Sequence, residues 1–525
     1  MRSSTRYLLT LVVLPLGVLS LVWPASAQPR IPFGSASRAV VHGREAGVAR
    51  DEATSFEAFG RPRGDKVITL GGVPAATPLV PQSSSGFDAL LDPISVPSDT
   101  TGARGDDFIV AAVNTQLAVY DLSGTQVVAP IQLDVLHPDA HGRFVFDPKV
   151  VYDQYDQTFE IVFLVQQDQP RRSFIISIAI PGATADDPNT WCAISFPGDA
   201  LAGGAETWAD YPGLGYNDTR VTITTNEFAF PSSSGSFRSS QVMTIDKAGL
   251  YDCGQPAPVP TVFVGRRMRD DRGNQPFTLR PAQTVGASPG PQLLVSLGDV
   301  QGKGDYLTLW RIKPTATGFG LQRASKAAGK VSLPPFGTQE GGGLDKPNTW
   351  WDTGDTRLIN AFYDADRNQL YTANATLKNL RPDTATGRYP ESVVRWYELD
   401  PAANLKNSVI ARKGVIGEPE VDVGWPSVAT DDAGVLFVTY SRASEPRNEF
   451  LSAWVSTIPP GSTADTELLL HAGVATYNAT PGVERWGDYT AINRDPGSGQ
   501  DVATFNQYAQ SGVQWRQFVS LVTDN

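Results

Sequence analysis

Two stretches of the chain repeat the same chemistry. "ETWADY" carries Glu206, Trp208, Asp210 and Tyr211, and "ERWGDY" carries Glu484, Trp486, Asp488 and Tyr489. Each sets two carboxylates beside an indole and a phenol. Paired carboxylates roughly 5–10 Å apart cleave glycosidic bonds, and carboxylates gathered in a ring suit a hard cation such as calcium, or sugar hydroxyls. After each stretch come a strand-like run, a turn, a second run and an asparagine, Asn226 or Asn506. In an antiparallel hairpin the start of one strand and the end of the next share an edge. Asp210 is therefore expected near Asn226, and Asp488 near Asn506. Looser versions put Asp147, and Asp352 or Asp355 with Asn374, at similar positions.

These residues admit two readings. In one, each carboxylate accepts backbone N–H bonds and pins the loop leading into a repeat. In the other they form a ring that binds a ligand. The ligand-binding candidates are Glu206, Trp208, Asp210, Asn226, Glu484, Trp486, Asp488 and Asn506. Asp147, Asp210 and Asp488 are the metal candidates, with calcium the ion they would suit. A hydrolase would draw its two acids from Asp147, Asp210, Asp355, Asp488, Glu206 and Glu484. His137 and His141, flanking Asp139 in "LHPDAHGRF", have the types for acid–base or metal work, or they are ordinary loop histidines. A lyase would need a base, with these histidines, Tyr211 and Tyr489 available. Arg280, Arg357 and Arg485 stand near the starts of repeats but do not form a convincing set of three.

The elements that must position these groups are short strands. From about residue 105 onward, apolar or alternating runs are separated by Asp, Gly, Asn and Pro turns, which is the pattern of half-buried strands in hairpins. A hairpin followed by a third strand recurs at a period of roughly 60 residues, which suggests about seven units and a propeller. The prediction is an all-β propeller, seven blades of four antiparallel strands, spanning 105–525. Trp208 and Trp486 are expected as wedges between blades, because an indole there buries a large area.

Residues 1–27 have the form of a secretory signal peptide: Arg2 and Arg6, an apolar run, then Ala25-Ser26-Ala27 before the cut. An uncleaved anchor is the alternative. Loss of the two arginines takes the net charge from −12 to −14, which disfavours nucleic acid and anionic membranes. A secreted or periplasmic location follows. Residues 28–104 are linker-like, with "KVITL" (66–70) a candidate closing strand. Cys192 and Cys253 are the two cysteines. In an exported protein they are expected to pair, the alternative being two buried thiols.

"DDPNTW" (186–191) and "DKPNTW" (345–350) resemble the Asp-box of sialidase-type propellers, with Pro188 and Pro347 where that motif has glycine. "DPKVVYD", "DTGDTRLINAFY", "WPSVATDDAGVLFVTYSRAS" and "RWGDYTAINRDP" form an ordered series similar to a largely uncharacterised group of exported bacterial β-propellers related to sialidases and BNR-repeat proteins. That resemblance covers roughly 105–525 and implies fold and export, with no catalytic residues to carry across. The expected function is a binding or scaffold protein, a monomer, holding a glycan, peptide or protein at the channel mouth. The alternative is a glycan-acting hydrolase or lyase.

Overall fold

The computed structural model describes residues 81–524, apart from 94, 200–205, 253–257, 266–267, 271, 288–289, 299–305, 317, 329–335, 339–349, 379, 381–390, 404, 406–407 and 481–482. Among these the chain is almost entirely strand, and its one α-helix is the five-residue turn Lys247–Tyr251. No helix among the described residues is long and apolar enough to cross a membrane.

The strands group into successive antiparallel four-strand sheets. The second is typical: Phe144–Asp153, Thr158–Asp168, Arg171–Pro181 and Cys192–Pro197, paired in that order. The leading strands, in chain order, are Thr101–Arg104, Phe144–Asp153, Thr207–Tyr216, Arg280–Val285, Ala361–Asp364, Asp422–Thr430 and Ala491–Arg494. The third, fourth and fifth join in parallel, through Tyr216 beside Gln283 and Ala282–Val285 beside Ala361–Asp364. Each leading strand touches the sheet that follows, and Thr101–Arg104 touches the last. The sheets therefore follow one another in chain order, each against the next and the first against the last.

The burial pattern explains the sequence texture. Thr158–Asp168 is buried on both faces along nearly its whole length, which is why "IVFLV" within it reads as a continuous apolar run. Val409–Ile416, an outer strand, alternates exposed and half-buried residues.

The last sheet takes its fourth strand from the other end of the chain. Gln82–Asp88 pairs antiparallel with Gln514–Thr523, from Gln82 opposite Thr523 to Asp88 opposite Phe518. The run 66–70, expected to close the fold, lies outside the described residues. A small extra sheet sets Trp350–Asp352 parallel to Val483–Glu484. It draws the approaches to the fifth and last sheets together, and thereby places Asp352–Arg357 near Arg485–Asp488. Trp351, Trp425, Trp486, Trp515, Tyr211 and Tyr489 share one apolar cluster beneath.

Candidate functional site: the mouth of the strand cycle

The site begins as a backbone device repeated at the starts of the leading strands. Asp99, Asp147, Tyr211, Thr278 and Trp425 all take left-handed φ, between 51° and 56°. For residues with a Cβ this costs on the order of 1–2 kcal/mol each. Three of them fall within register shifts, at Phe146/Lys149, Asp210/Gly213 and Gly424/Ser427. Pro148, Pro212 and Pro426 occupy the middle of those shifts, where a missing N–H breaks no ladder bond. The bulges turn the strand starts toward one another at one end of the cycle.

Their side chains build a buried polar floor. The Asp147 carboxylate accepts the Tyr211 N–H at 2.9 Å, and that of Asp99 accepts the Asp488 N–H at 3.1 Å. Each bond joins neighbouring sheets. Asn114 ties the two acids together: its Oδ1 accepts the Asp147 N–H at 2.8 Å, and its Nδ2 donates to Asp99. Burial and then the charge of Asp488 push both carboxyls up, Asp99 strongly, and they hydrogen-bond each other. Lys149 lies over the Tyr489 ring. Burial, then Arg280, pulls its amine well down, against the opposing pull of the three aspartates. Arg280, 1% exposed, spans two sheets by donating to the Leu358 and Pro212 carbonyls at 2.8 Å each. Tyr211 Oη donates to the Asp488 carbonyl at 2.7 Å, and Tyr489 Oη to the Pro148 carbonyl at 2.8 Å. Inside the cycle lies a cavity of about 30 Å³, lined among others by Thr101, Lys149, Leu214, Arg280, Ser427 and Ile492. That is room for about one water, so this stretch of the interior is filled.

Half-exposed ion pairs lie above the floor. Arg357 grips Asp355 bidentately, Nε to Oδ1 at 2.6 Å and Nη2 to Oδ2 at 2.7 Å, and lies over Tyr211 and Phe277. Arg485 Nη2 reaches both oxygens of Asp488, at 2.9 and 3.0 Å. These side chains are 17–33% exposed. Asp352 stands by Arg485, its carboxyl raised by burial.

The predicted residues therefore divide. Asp147, Asp355 and Asp488 do converge at this mouth. Asp210 and Asn226 are cross-strand partners as expected, but Asn226 is fully buried and clamps Thr278 of the next sheet through its N–H and hydroxyl, both at 2.8 Å. Asn506 likewise clamps Tyr440 and Thr439 of the preceding sheet. Trp208 packs between Phe146 and Phe228, and Trp486 donates to Ser441 of the sixth sheet at 2.9 Å; both are buried. Glu484 is buried and accepts the Thr480 N–H, while Glu206 is an exposed partner of Arg171. Asn226, Asn506, Trp208, Trp486, Glu484 and Glu206 are thus structural or rim residues. His137 is buried, its Nδ1 accepting the Asp139 N–H at 3.1 Å, and burial lowers its pKa; His141 is exposed. Neither histidine meets the mouth groups. Among the described residues no group of three or more His, Cys, Asp or Glu is arranged to hold a metal.

Sequence reasoning missed Asp99, Asn114 and Lys149. Asp99 lay in a stretch read as linker, although "SDTTGAR" carries the polar turn residues of a strand start. The X-Pro pairs at 147–148, 211–212 and 425–426 were a readable signal for the bulges. In the Asp-box copy at 186–191, Asp187 caps the turn Pro188–Thr190 by accepting the Asn189 N–H; most of the second copy lies outside the described residues.

No family model matches the chain, and no curated protein matches it. Solved structures similar to it include three β-propellers. One is the GH93 α-L-arabinofuranosidase of Fusarium graminearum, at 9% identity and TM-score 0.38, covering 84% of this chain and 98% of that one. A second is Trypanosoma rangeli sialidase, at 9% and 0.35, covering 84% and 60%. The third is the WD40 domain of SCAP from fission yeast, at 9% and 0.31, covering 79% and 82%. Likenesses of this size carry no argument about fold or activity.

Proposed function

We propose that the chain is an exported, seven-bladed β-propeller that binds a glycan at the mouth described above. The succession of four-strand sheets, the last completed by Gln82–Asp88, supports the propeller reading, and the form of residues 1–27 supports export. The observation that carries the binding reading is the pair Arg357–Asp355 and Arg485–Asp488. They form a fixed, half-exposed polar surface at one end of the cycle, standing on a floor that the protein holds rigid with inter-sheet hydrogen bonds. Rigid guanidinium and carboxylate groups beside aromatic rings suit sugar hydroxyls, since little freedom is lost on binding.

Glycan cleavage is the second reading. It is favoured by the Asp99–Asp147 pair, whose raised pKa values keep a proton available beside Asp488. Against it, Asp99 and Asp147 are 1% and 6% exposed and are committed to backbone N–H groups. Thermal unfolding against a glycan panel tests the binding reading, since a ligand of the native state alone raises the melting temperature. A shift that disappears in Arg485→Ala supports the mouth. A glycan shift unchanged in both Arg485→Ala and Arg357→Ala places the ligand elsewhere. Release of reducing ends, lost in Asp488→Asn, would favour the enzyme.

A further inference from the structure

A guanidinium fork is matched in shape to a carboxylate. At this mouth the chain itself fills one fork and engages one nitrogen of a second. Asp355 and Arg357 are two residues apart, and Arg485 and Asp488 three, so each pair forms within one loop with little chain to order. Arg357 meets Asp355 by two parallel bonds at 2.6 and 2.7 Å. Arg485 Nη2 is shared between the two Asp488 oxygens. We propose that Asp355 and Asp488 bar acidic sugars from the mouth by holding these two guanidinium groups, and leave it to uncharged, hydroxyl-rich ones. This rests on the mouth being the ligand site.

The surrounding charge supports the same exclusion. Asp352 lies beside Arg485, and Asp99 and Asp147 lie beside Asp488, so further acids surround the two pairs. An incoming carboxylate would have to displace Asp355 or Asp488 and leave it partly buried without its partner, among other acids. A hydroxyl oxygen adds no charge. The Arg485 Nε–H is buried and has no acceptor among the described residues. It asks for one neutral oxygen, which a sugar hydroxyl or ring oxygen supplies without breaking the Asp488 pair. The Tyr211 and Phe277 rings beneath Arg357 hold that guanidinium in place.

The test uses matched oligosaccharides, each neutral sugar with its uronic-acid counterpart, against the mature wild-type chain, Asp355→Ala and Asp488→Ala. Binding is read by titration and fold integrity by the melting temperature without ligand. Opening a fork to a charge-assisted pair predicts that acidic oligosaccharides bind the variants roughly tenfold to a hundredfold tighter than wild type. Acidic sugars that bind wild type as tightly as the variants overturn the proposal. So do variants that melt like wild type and gain nothing. Should an alanine variant melt early, Asp355→Asn and Asp488→Asn keep the shape, drop the charge and predict the same gain. If no neutral sugar binds any protein, the glycan reading of the mouth fails; a gain of acidic binding in the variants would still establish the masking by Asp355 and Asp488.

Discussion

Tyr211 and Tyr489, one from each copy of the repeated stretch, meet with ring centroids 6.0 Å apart and planes at 63°. Each hydroxyl reaches back to the backbone of a distant sheet: Tyr211 to Asp488, Tyr489 to Pro148. The repeat is thus two sides of one contact, joining the third sheet and the second to the last.

Removing either hydroxyl should therefore cost stability with little change of shape. Tyr211→Phe and Tyr489→Phe each leave a buried carbonyl short of a donor, so about 1–2 kcal/mol is expected from each. Because the rings touch, the double variant should depart from additivity. Urea unfolding of the four proteins measures this. Midpoints equal to wild type in both single variants would show that the bonds across the mouth are not formed.

Asp147 tests the floor. Its carboxylate is the acceptor for the Tyr211 N–H in the next sheet, and Tyr211 sits in a left-handed conformation that needs holding. Asp147→Ala strips that acceptor from a buried amide, so a loss of about 1–3 kcal/mol is expected. Asp147→Asn retains a carbonyl oxygen and should lose less. Equal losses, read from chemical unfolding at pH 7, would mean that the space filled by the side chain matters and the bond to Tyr211 does not.

The sequence disclosed strands, hairpins and their repetition because those depend on local pattern. Thr158–Asp168 and Arg220–Ala229 are legible as strands from their own residues. The pairing of Asp210 with Asn226 was also legible, since hairpin register is local. The roles of these residues were not. Asn226 clamps Thr278 and Asn506 clamps Tyr440, contacts set by how neighbouring sheets meet. Asp99 was overlooked because its segment shows no strand-like apolar pattern; it becomes part of the site only when the last sheet packs against the first. Lys149 follows Asp147 by two residues on one strand, yet its place over Tyr489 depends on a ring contributed from the far end of the chain.

Asp431 offers a clean pH signature away from the mouth. It is 1% exposed, accepts the Val435 N–H at 2.7 Å, and burial pushes its pKa up to about 7. The unfolded carboxyl titrates near 4, so between roughly pH 4 and 7 the folded state holds a proton that the unfolded state has released. Stability from this group is full below the lower value and is lost as pH rises through the higher one. Asp431→Asn removes the titration and keeps an oxygen for Val435. Its stability relative to wild type should rise from pH 4 to 7 and level off above, by on the order of a few kcal/mol. A difference that does not change with pH would place the folded pKa of Asp431 at its ordinary value.

Cys192 and Cys253 are proposed to form a staple between the second and third sheets. Cys192 heads the outer strand Cys192–Pro197 and is buried; Cys253 lies outside the described residues. The helix Lys247–Tyr251, which ends two residues before Cys253, packs against Arg171–Pro181. That strand is the direct partner of Cys192–Pro197, with Ala179 opposite Cys192. No cysteine among the described residues is free. Closing a loop of about 60 residues is worth roughly 4 kcal/mol by chain entropy. Protein recovered from an oxidising compartment and unfolded without reductant should titrate no thiol, and two after reduction. Cys192→Ser and Cys253→Ser should lower the melting temperature alike, and the double variant no further, because either substitution removes the same bond. Two thiols in the unreduced protein, or losses that add, would show two separate buried cysteines.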